Sequence, residues 1–245
     1  MKAIILAAGY ATRLYPLTEN MPKALLKVGS KAILEHLLDA FAFVEEIDEI
    51  HIVSNARFYE QLSEWAKGVQ PGYRQNIIVW NDGTTSNENR LGAIGDILFV
   101  INQANIDDDL FIAASDNLLS RKLTEYFDDF KAHKCDFLLA GRMEDPEERK
   151  RYAILQLDEN RRVIDLEEKP QNPKSDIAAY AEYIYTRETI PLIKTYIEEG
   201  NNPDSPGHLP EWLYKKKEVR AHIYEGDCVD IGTVKMYNEI QNSWK

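Results

Sequence analysis

Arg13 and Lys23 put a forked, planar cation and a compact one close behind Gly9 and the small residues Ala8, Ala11 and Thr12. A run of small residues lets backbone N–H groups face outward around an anion. Gly9 adds room for a ligand against the main chain, and the two cations grip phosphate differently, Arg through a rigid fork and Lys as a point charge. This set suits a polyphosphate. Read without context, the same residues make an ordinary turn with stray surface cations. Gly9-x-Ala11 lacks the third glycine of a dinucleotide fingerprint. Pro16 and Pro22 delay the next helix, so no helix N-terminus follows at once, which disfavours a Rossmann site.

Asp116 follows the apolar run Leu110–Ala114, at the carboxyl end of an expected strand. A carboxylate there can face a ligand and offer the oxygen that Mg²⁺ requires, or it can bond its own backbone and cap the next loop. Asp230 lies in Val229-Asp-Ile-Gly-Thr233, whose threonine reads as the N-cap of a following helix. Glu167-Glu168-Lys169-Pro170 ends a hairpin and by itself reads as a solvated loop, its direction held by Pro170. The five histidines show no metal-ligand spacing, no G-x-S-x-G occurs, and Arg142, Arg149, Arg151, Arg161 and Arg162 read as surface.

The elements that must position these residues are legible from hydrophobic periodicity. Ala3–Leu6, Glu49–Ser54, Asn76–Trp80 and Leu110–Ala114 read as buried strands. Lys31–Val44, Phe58–Lys67 and Ala93–Gln103 read as helices, the first with a stripe of Ile33, Leu34, Leu37, Leu38 and Phe41. Their alternation predicts a parallel sheet with helices on both faces. The polar loop Asn81–Arg90 follows the third strand, where ligands of open α/β sheets are met. A helix Leu123–His133 and a strand Phe137–Ala140 follow. After Arg142 the rhythm changes to a hairpin, Ala153–Leu157 with Val163–Glu167, then a strand Ile177–Tyr185 and a helix Glu188–Glu199. Past the loop Asn201–Gly207, a helix His208–Lys217, a strand Val219–Tyr224 and a helix Val234–Asn242 complete the reading. The expected fold class is α/β: a Rossmann-like, mostly parallel sheet plus a smaller β-rich extension that binds substrate or forms a lid. We expect a single domain, with residues 1–142 as its nucleotide-binding half and 143–245 as its acceptor half.

The totals bound the function. A chain of 245 residues, 44% apolar, can bury a core. A net charge of −12 argues against nucleic-acid or anionic-membrane partners, which need clustered cations. No stretch is long and apolar enough to span a bilayer, and the run before Arg13 is too short for a signal peptide. Cytoplasmic residence is the expectation, with Cys135 and Cys228 as unpaired thiols.

Leu6-Ala-Ala-Gly-Tyr-Ala-Thr-Arg-Leu-Tyr-Pro-Leu-Thr18, with Pro22-Lys23, resembles the signature of the sugar-1-phosphate nucleotidylyltransferases, roughly L-A-x-G-x-G-T-R-L-x-P-L-T and P-K; Ala11 replaces its second glycine. The resemblance continues to Thr233. It implies transfer of a nucleoside monophosphate from a nucleoside triphosphate to a sugar 1-phosphate, with Mg²⁺ as cofactor and pyrophosphate released. It implies that Leu6, Ala8, Gly9, Ala11 and Thr12 line the nucleotide, with Asn81, Gly83 and Gly92 contributing. Arg13 would hold the β- and γ-phosphates and Lys23 would bind near the α-phosphate. The Asp of Ser115-Asp116-Asn117, a variant of the family's G-D-N, and Asp230 would hold the metal. In the E-K-P segment, Glu168 would bind the sugar and Lys169 the sugar phosphate.

The departures bear on specificity. Asn81-Asp82-Gly83 and Gly92-Ala-Ile-Gly-Asp96 lack the glutamine of the thymidylyltransferases, which leaves the base open. Tyr152-Ala153 replaces a Tyr-Gly pair, and Ala179-Tyr180-Ala181 replaces small residues ending in glycine, so Tyr180 narrows the acceptor wall, stacks on a ligand or belongs to the core. A cytidylyltransferase acting on phosphocholine or another phosphorylated alcohol stays open as an alternative, and a binding-only module as a further one. An allosteric extension is not expected, and a homo-oligomer is compatible with the sequence.

Overall fold

A computed structural model describes residues 1–244. In chain order, β1 (Lys2–Leu6) is followed by two 3-10 turns, Thr12–Leu14 and Lys23–Leu25, where the prolines forbid a helix. β2 (Lys27–Val28) and β3 (Lys31–Ala32) form a small hairpin across Gly29, whose φ of +62° makes the turn. That pairing takes Lys31 and Ala32 out of the expected helix, and α1 runs from Ile33 to Phe41. Then come β4 (Glu49–Ser54), α2 (Tyr59–Val69), β5 (Asn76–Asn81), α3 (Ala93–Ala104), β6 (Leu110–Ala114) and β7 (Asn117–Leu119). The chain continues with α4 (Thr124–His133), β8 (Asp136–Arg142), α5 (Pro146–Arg149), β9 (Ala153–Leu157), β10 (Val163–Glu168) and β11 (Ile177–Tyr185). It ends with α6 (Ile190–Glu198), α7 (His208–Leu213), β12 (Val219–Ile223), β13 (Cys228–Asp230) and α8 (Val234–Ser243). The last part of the expected helix His208–Lys217 is a turn, and among the described residues no helix is long and apolar enough to cross a membrane.

Packing gathers the chain into two compact units that are discontinuous in sequence. The first holds Met1–Arg90, Ala114–Leu123 and the stretch from Gly226 onward; the second holds Leu91–Ala113 and Thr124–Glu225. The α/β class expected from sequence holds, with a large sheet flanked by helices.

In the first unit β4 lies parallel between β1 and β5, in unbroken register from Lys2↔Glu49 to Leu6↔Val53 and from Glu49↔Asn76 to Ser54↔Asn81. Ala3, Ile4 and Ile5 are fully buried, as strands covered on both faces require. The α1 stripe named above is fully buried too. A second cluster packs Leu14, Leu26, Val28, Ile33, Leu118 and Ile231 together, with Val234 and Tyr237 of α8 against it. Leu14, Leu118 and Ile231 lie within two residues of Arg13, Asp116 and Asp230, so this small core supports the segments that carry them.

In the second unit β11 is the hub. It pairs antiparallel with β6, β8 and β9, while β9–β10 is the expected hairpin and β12 runs parallel to β8. Asp136, at the start of β8, is fully buried and accepts hydrogen bonds from the Thr186 N–H (2.9 Å), the hydroxyls of Thr186 and Thr189, and Lys217 Nζ (3.0 Å). Burial pushes its pKa above the ordinary carboxylate value although Lys217 opposes the shift. Removing one partner of such a pair leaves the other unmatched, so Asp136→Ala should destabilise the fold by about 3–5 kcal/mol. Urea unfolding checks this, and a loss below about 1 kcal/mol, the scale of an exposed pair, would contradict it.

Candidate active site

The first unit brings three sequence-distant residues to one point. Antiparallel pairing of β13 with β7 sets Asp230 opposite Asn117, and the Ile231 N–H donates to the Asp116 carbonyl at 3.3 Å. The 3-10 turn after the buried Pro22 then aims Lys23 between the two carboxylates. Its Nζ stands 2.5 Å from Asp116 Oδ2 and 3.2 Å from Asp230 Oδ1. Burial alone would lower the Lys23 pKa, but the facing carboxylates outweigh it and hold it above the ordinary lysine value. Thr233 caps α8 as expected, accepting from the Met236 N–H at 3.2 Å, so the cap and the neighbouring carboxylate coexist.

The loop after β1 is tied to the end of β4. The Ala7 N–H donates to the Val53 carbonyl at 2.9 Å, and the fully buried Asn55 donates through Nδ2 to the Ala8 carbonyl at 2.8 Å. Asn55 also accepts from the Phe58 N–H, so it locks loop to helix. Sequence reasoning missed it, because an Asn after a strand looks like any turn residue. A Cβ built on Gly9 would meet nothing within 4 Å, leaving its outer side open. Ala11 takes φ 48° and ψ 40°, the left-handed conformation a glycine adopts freely. The alanine therefore keeps the loop shape at a cost of about 1–2 kcal/mol, offset by hydrogen bonds into its carbonyl from the Leu14 N–H and the Thr18 hydroxyl.

Leu6 is half-buried and Ala8 buried, whereas Thr12 and Arg13 are exposed. Arg13 has no hydrogen-bond or ion-pair partner among the described residues. Asn81, at the end of β5, accepts from the Gly83 N–H at 2.9 Å, closing a turn that the positive φ of Gly83 permits.

The second unit holds the remaining candidates. Gly92 precedes α3 with φ +79°, and a Cβ there would lie 2.6 Å from the Pro203 carbonyl oxygen. The close approach its glycine permits is thus made by the chain's own loop, whose Pro203 and Asp204 carbonyls accept from the Ile94 and Ala93 N–H groups. Glu168 ends β10 with its side chain 6% exposed, while Lys169 is 55% exposed and has a left-handed φ of +50°. The Lys169 N–H donates to the Tyr152 carbonyl. Tyr152 meets Tyr180 edge-on at 6.4 Å, and the Tyr180 hydroxyl covers Gly141, where a Cβ would lie 2.1 Å from it. Tyr180 is 6% exposed, so its ring is buried rather than free surface.

Among the described residues no cluster of three or more His, Cys, Asp or Glu could hold a metal. The donor set of Asp116 and Asp230 still fits Mg²⁺, which is commonly held by one or two carboxylates with substrate phosphate and water oxygens. Two carboxylates that share one ammonium have a place for one positive charge.

A sequence profile described as Nucleotidyl transferase matches residues 2–245. The chain belongs to that family. The chain is 30% identical over 98% of its length to a Sulfolobus acidocaldarius protein provisionally named a mannose-1-phosphate guanyltransferase, of which it covers 62%. It is 28% identical over 96% of its length to a glucose-1-phosphate thymidylyltransferase of Streptomyces antibioticus, of which it covers 63%. The chain thus spans less than two thirds of the length of these curated relatives. Its fold matches that of a UDP-glucose pyrophosphorylase solved with UDP-glucose, at a TM-score of 0.84, 18% identity and coverage of 99% of this chain and 97% of that one.

Proposed function

We propose that this nucleotidyl transferase joins a nucleoside triphosphate to a sugar 1-phosphate, releasing pyrophosphate and forming an NDP-sugar. The observation that carries this reading is the Lys23–Asp116–Asp230 cluster, a cation and two carboxylates in the unit that also bears the phosphate loop. An oxygen of the sugar phosphate attacks the α-phosphorus; the bond from that phosphorus to the bridging oxygen breaks, and pyrophosphate leaves with the electron pair. The nucleophile is already an anion, so no general base is needed, and catalysis is positioning and charge stabilisation.

Arg13 holds the β- and γ-phosphates, Lys23 the α-phosphate side, and Lys169 the acceptor phosphate; Glu168 binds acceptor hydroxyls. Leu6, Ala8, Gly9, Ala11, Thr12, Asn81 and Gly83 line the nucleotide, with Gly92 shaping the loop beside α3. Asp116 and Asp230 would hold Mg²⁺, which would supply positive charge against the transferring phosphate. Residues 1–142 serve the nucleotide and 143–245 the acceptor, Asp230 excepted. Such a reaction suits the cytoplasm, where its triphosphate is found.

The test is pyrophosphate release across four nucleoside triphosphates paired with glucose 1-phosphate, mannose 1-phosphate and phosphocholine, with and without Mg²⁺. We expect release with a sugar phosphate and Mg²⁺. The half-buried Tyr152, edge-on to Tyr180, favours a second reading, since an aromatic face also suits a cationic alcohol. Release only with CTP and phosphocholine would establish that alternative, and no release with any pair would point to a binding module.

A further inference from the structure

We infer that Ser205 is a positioning residue for the acceptor pair Glu168–Lys169, carried there by a strap of residues 201–207. This rests on the reading above, in which Lys169 meets the acceptor phosphate. The Ser205 hydroxyl donates to Glu168 Oε1 at 2.6 Å and accepts from Lys169 Nζ at 2.8 Å. A hydroxyl has one proton and two lone pairs, so it serves both at once. Lys169 Nζ is held 3.3 Å from the same carboxylate oxygen. Without the hydroxyl, the nearly buried carboxylate would lose a donor and the lysine would close onto it. The cation meant for phosphate would then be drawn more tightly into the ion pair it already makes, and the carboxylate meant for acceptor hydroxyls would turn away from them.

The strap is fixed at both ends. Near its start Tyr196 donates its hydroxyl to the Asn202 carbonyl at 2.7 Å, and Asn202 Oδ1 accepts from the Asp204 N–H at 3.0 Å. Its Pro203 and Asp204 carbonyls occupy the first N–H groups of α3, at 2.9 and 3.3 Å, which only a glycine at 92 allows. At the far end, a Cβ on Gly207 would stand 2.0 Å from Glu168 Oε2, so the strap passes directly against the carboxylate. Pro203 and Pro206 bracket Ser205 and restrict its backbone. Two glycines, two prolines and a helix start thus converge on placing one hydroxyl, and Lys169 reaches it from a left-handed backbone that ordinary lysines avoid.

Steady-state kinetics of the full chain, on whichever of glucose 1-phosphate and mannose 1-phosphate it uses, provide the test. Ser205→Ala should raise the acceptor KM about tenfold, the scale of a hydrogen bond to a charged group, with the triphosphate KM and the melting temperature unchanged. Ser205→Thr, which restores the hydroxyl, should return the acceptor KM toward wild type. An unchanged acceptor KM in Ser205→Ala, where Lys169→Ala raises it, would overturn the inference while leaving the reading of Lys169 intact. An equal rise in both KM values with a lowered melting temperature would mark a merely structural serine and overturn it as well. If Lys169→Ala itself leaves the acceptor KM unchanged, the role of Lys169 fails first.

Discussion

Arg13→Ala and Lys169→Ala should each lower kcat/KM by about 10²–10³-fold, the loss expected when one preorganised charge-stabilising donor is removed. The two side chains are exposed enough that the fold does not depend on them. Among the described residues Arg13 has no side-chain partner, and the Lys169 ammonium meets Ser205 and Glu168. Circular dichroism and melting temperature should therefore match wild type. The substitutions should also separate: Arg13→Ala raises the triphosphate KM and Lys169→Ala the acceptor KM, each with a fall in kcat. Near-normal turnover in both variants would contradict the roles assigned here. An Arg13→Lys variant would recover only part of the loss, because an ammonium lacks the fork that grips two phosphate oxygens.

The second large effect concerns the carboxylates. Asp116→Asn and Asp230→Asn should each reduce turnover by about 10³-fold at fixed Mg²⁺, the upper range for losing an electrostatic stabiliser. Asparagine keeps the size and one oxygen but removes the charge. Lys23 behaves oppositely in binding and in turnover. Its ammonium sits on both carboxylates, so it must give them up before they accept a divalent ion. Lys23→Met should accordingly bind Mn²⁺ more tightly than wild type in the absence of nucleotide, yet turn over slowly because the α-phosphate loses its lysine. Tighter metal binding with impaired catalysis is a signature that simple misfolding does not produce. Isothermal titration with Mn²⁺ and turnover assays on the same preparation read both halves.

Much of this architecture was legible from residue patterns. The buried strands and the α1 stripe follow from periodicity, and the hairpin β9–β10 from its turn chemistry. The residue types around Gly9 and Lys23 suggest a phosphate site. What periodicity could not show is set by contacts too short or too local to leave a pattern. β7 and β13 are three residues each, below the length at which alternation is visible, yet their pairing is what joins Asp116 to Asp230. The hairpin β2–β3 escaped for the same reason and shifted the start of α1. Ala11 hides its left-handed backbone behind an ordinary helix former. Asn201–Gly207 read as a plain loop because its work is done by carbonyls and one hydroxyl, which composition does not reveal. At Gly92, expected to contribute to the nucleotide site, the absent side chain admits the close approach of residues 203 and 204.

The central claim is that Asp116 and Asp230 form one divalent-ion site. Electron paramagnetic resonance of Mn²⁺, titrated into the full chain with a non-hydrolysable nucleoside triphosphate, tests it most directly. The account requires one bound ion per chain in wild type, and loss of that binding in both Asp116→Asn and Asp230→Asn. Undiminished Mn²⁺ binding in either variant would contradict it.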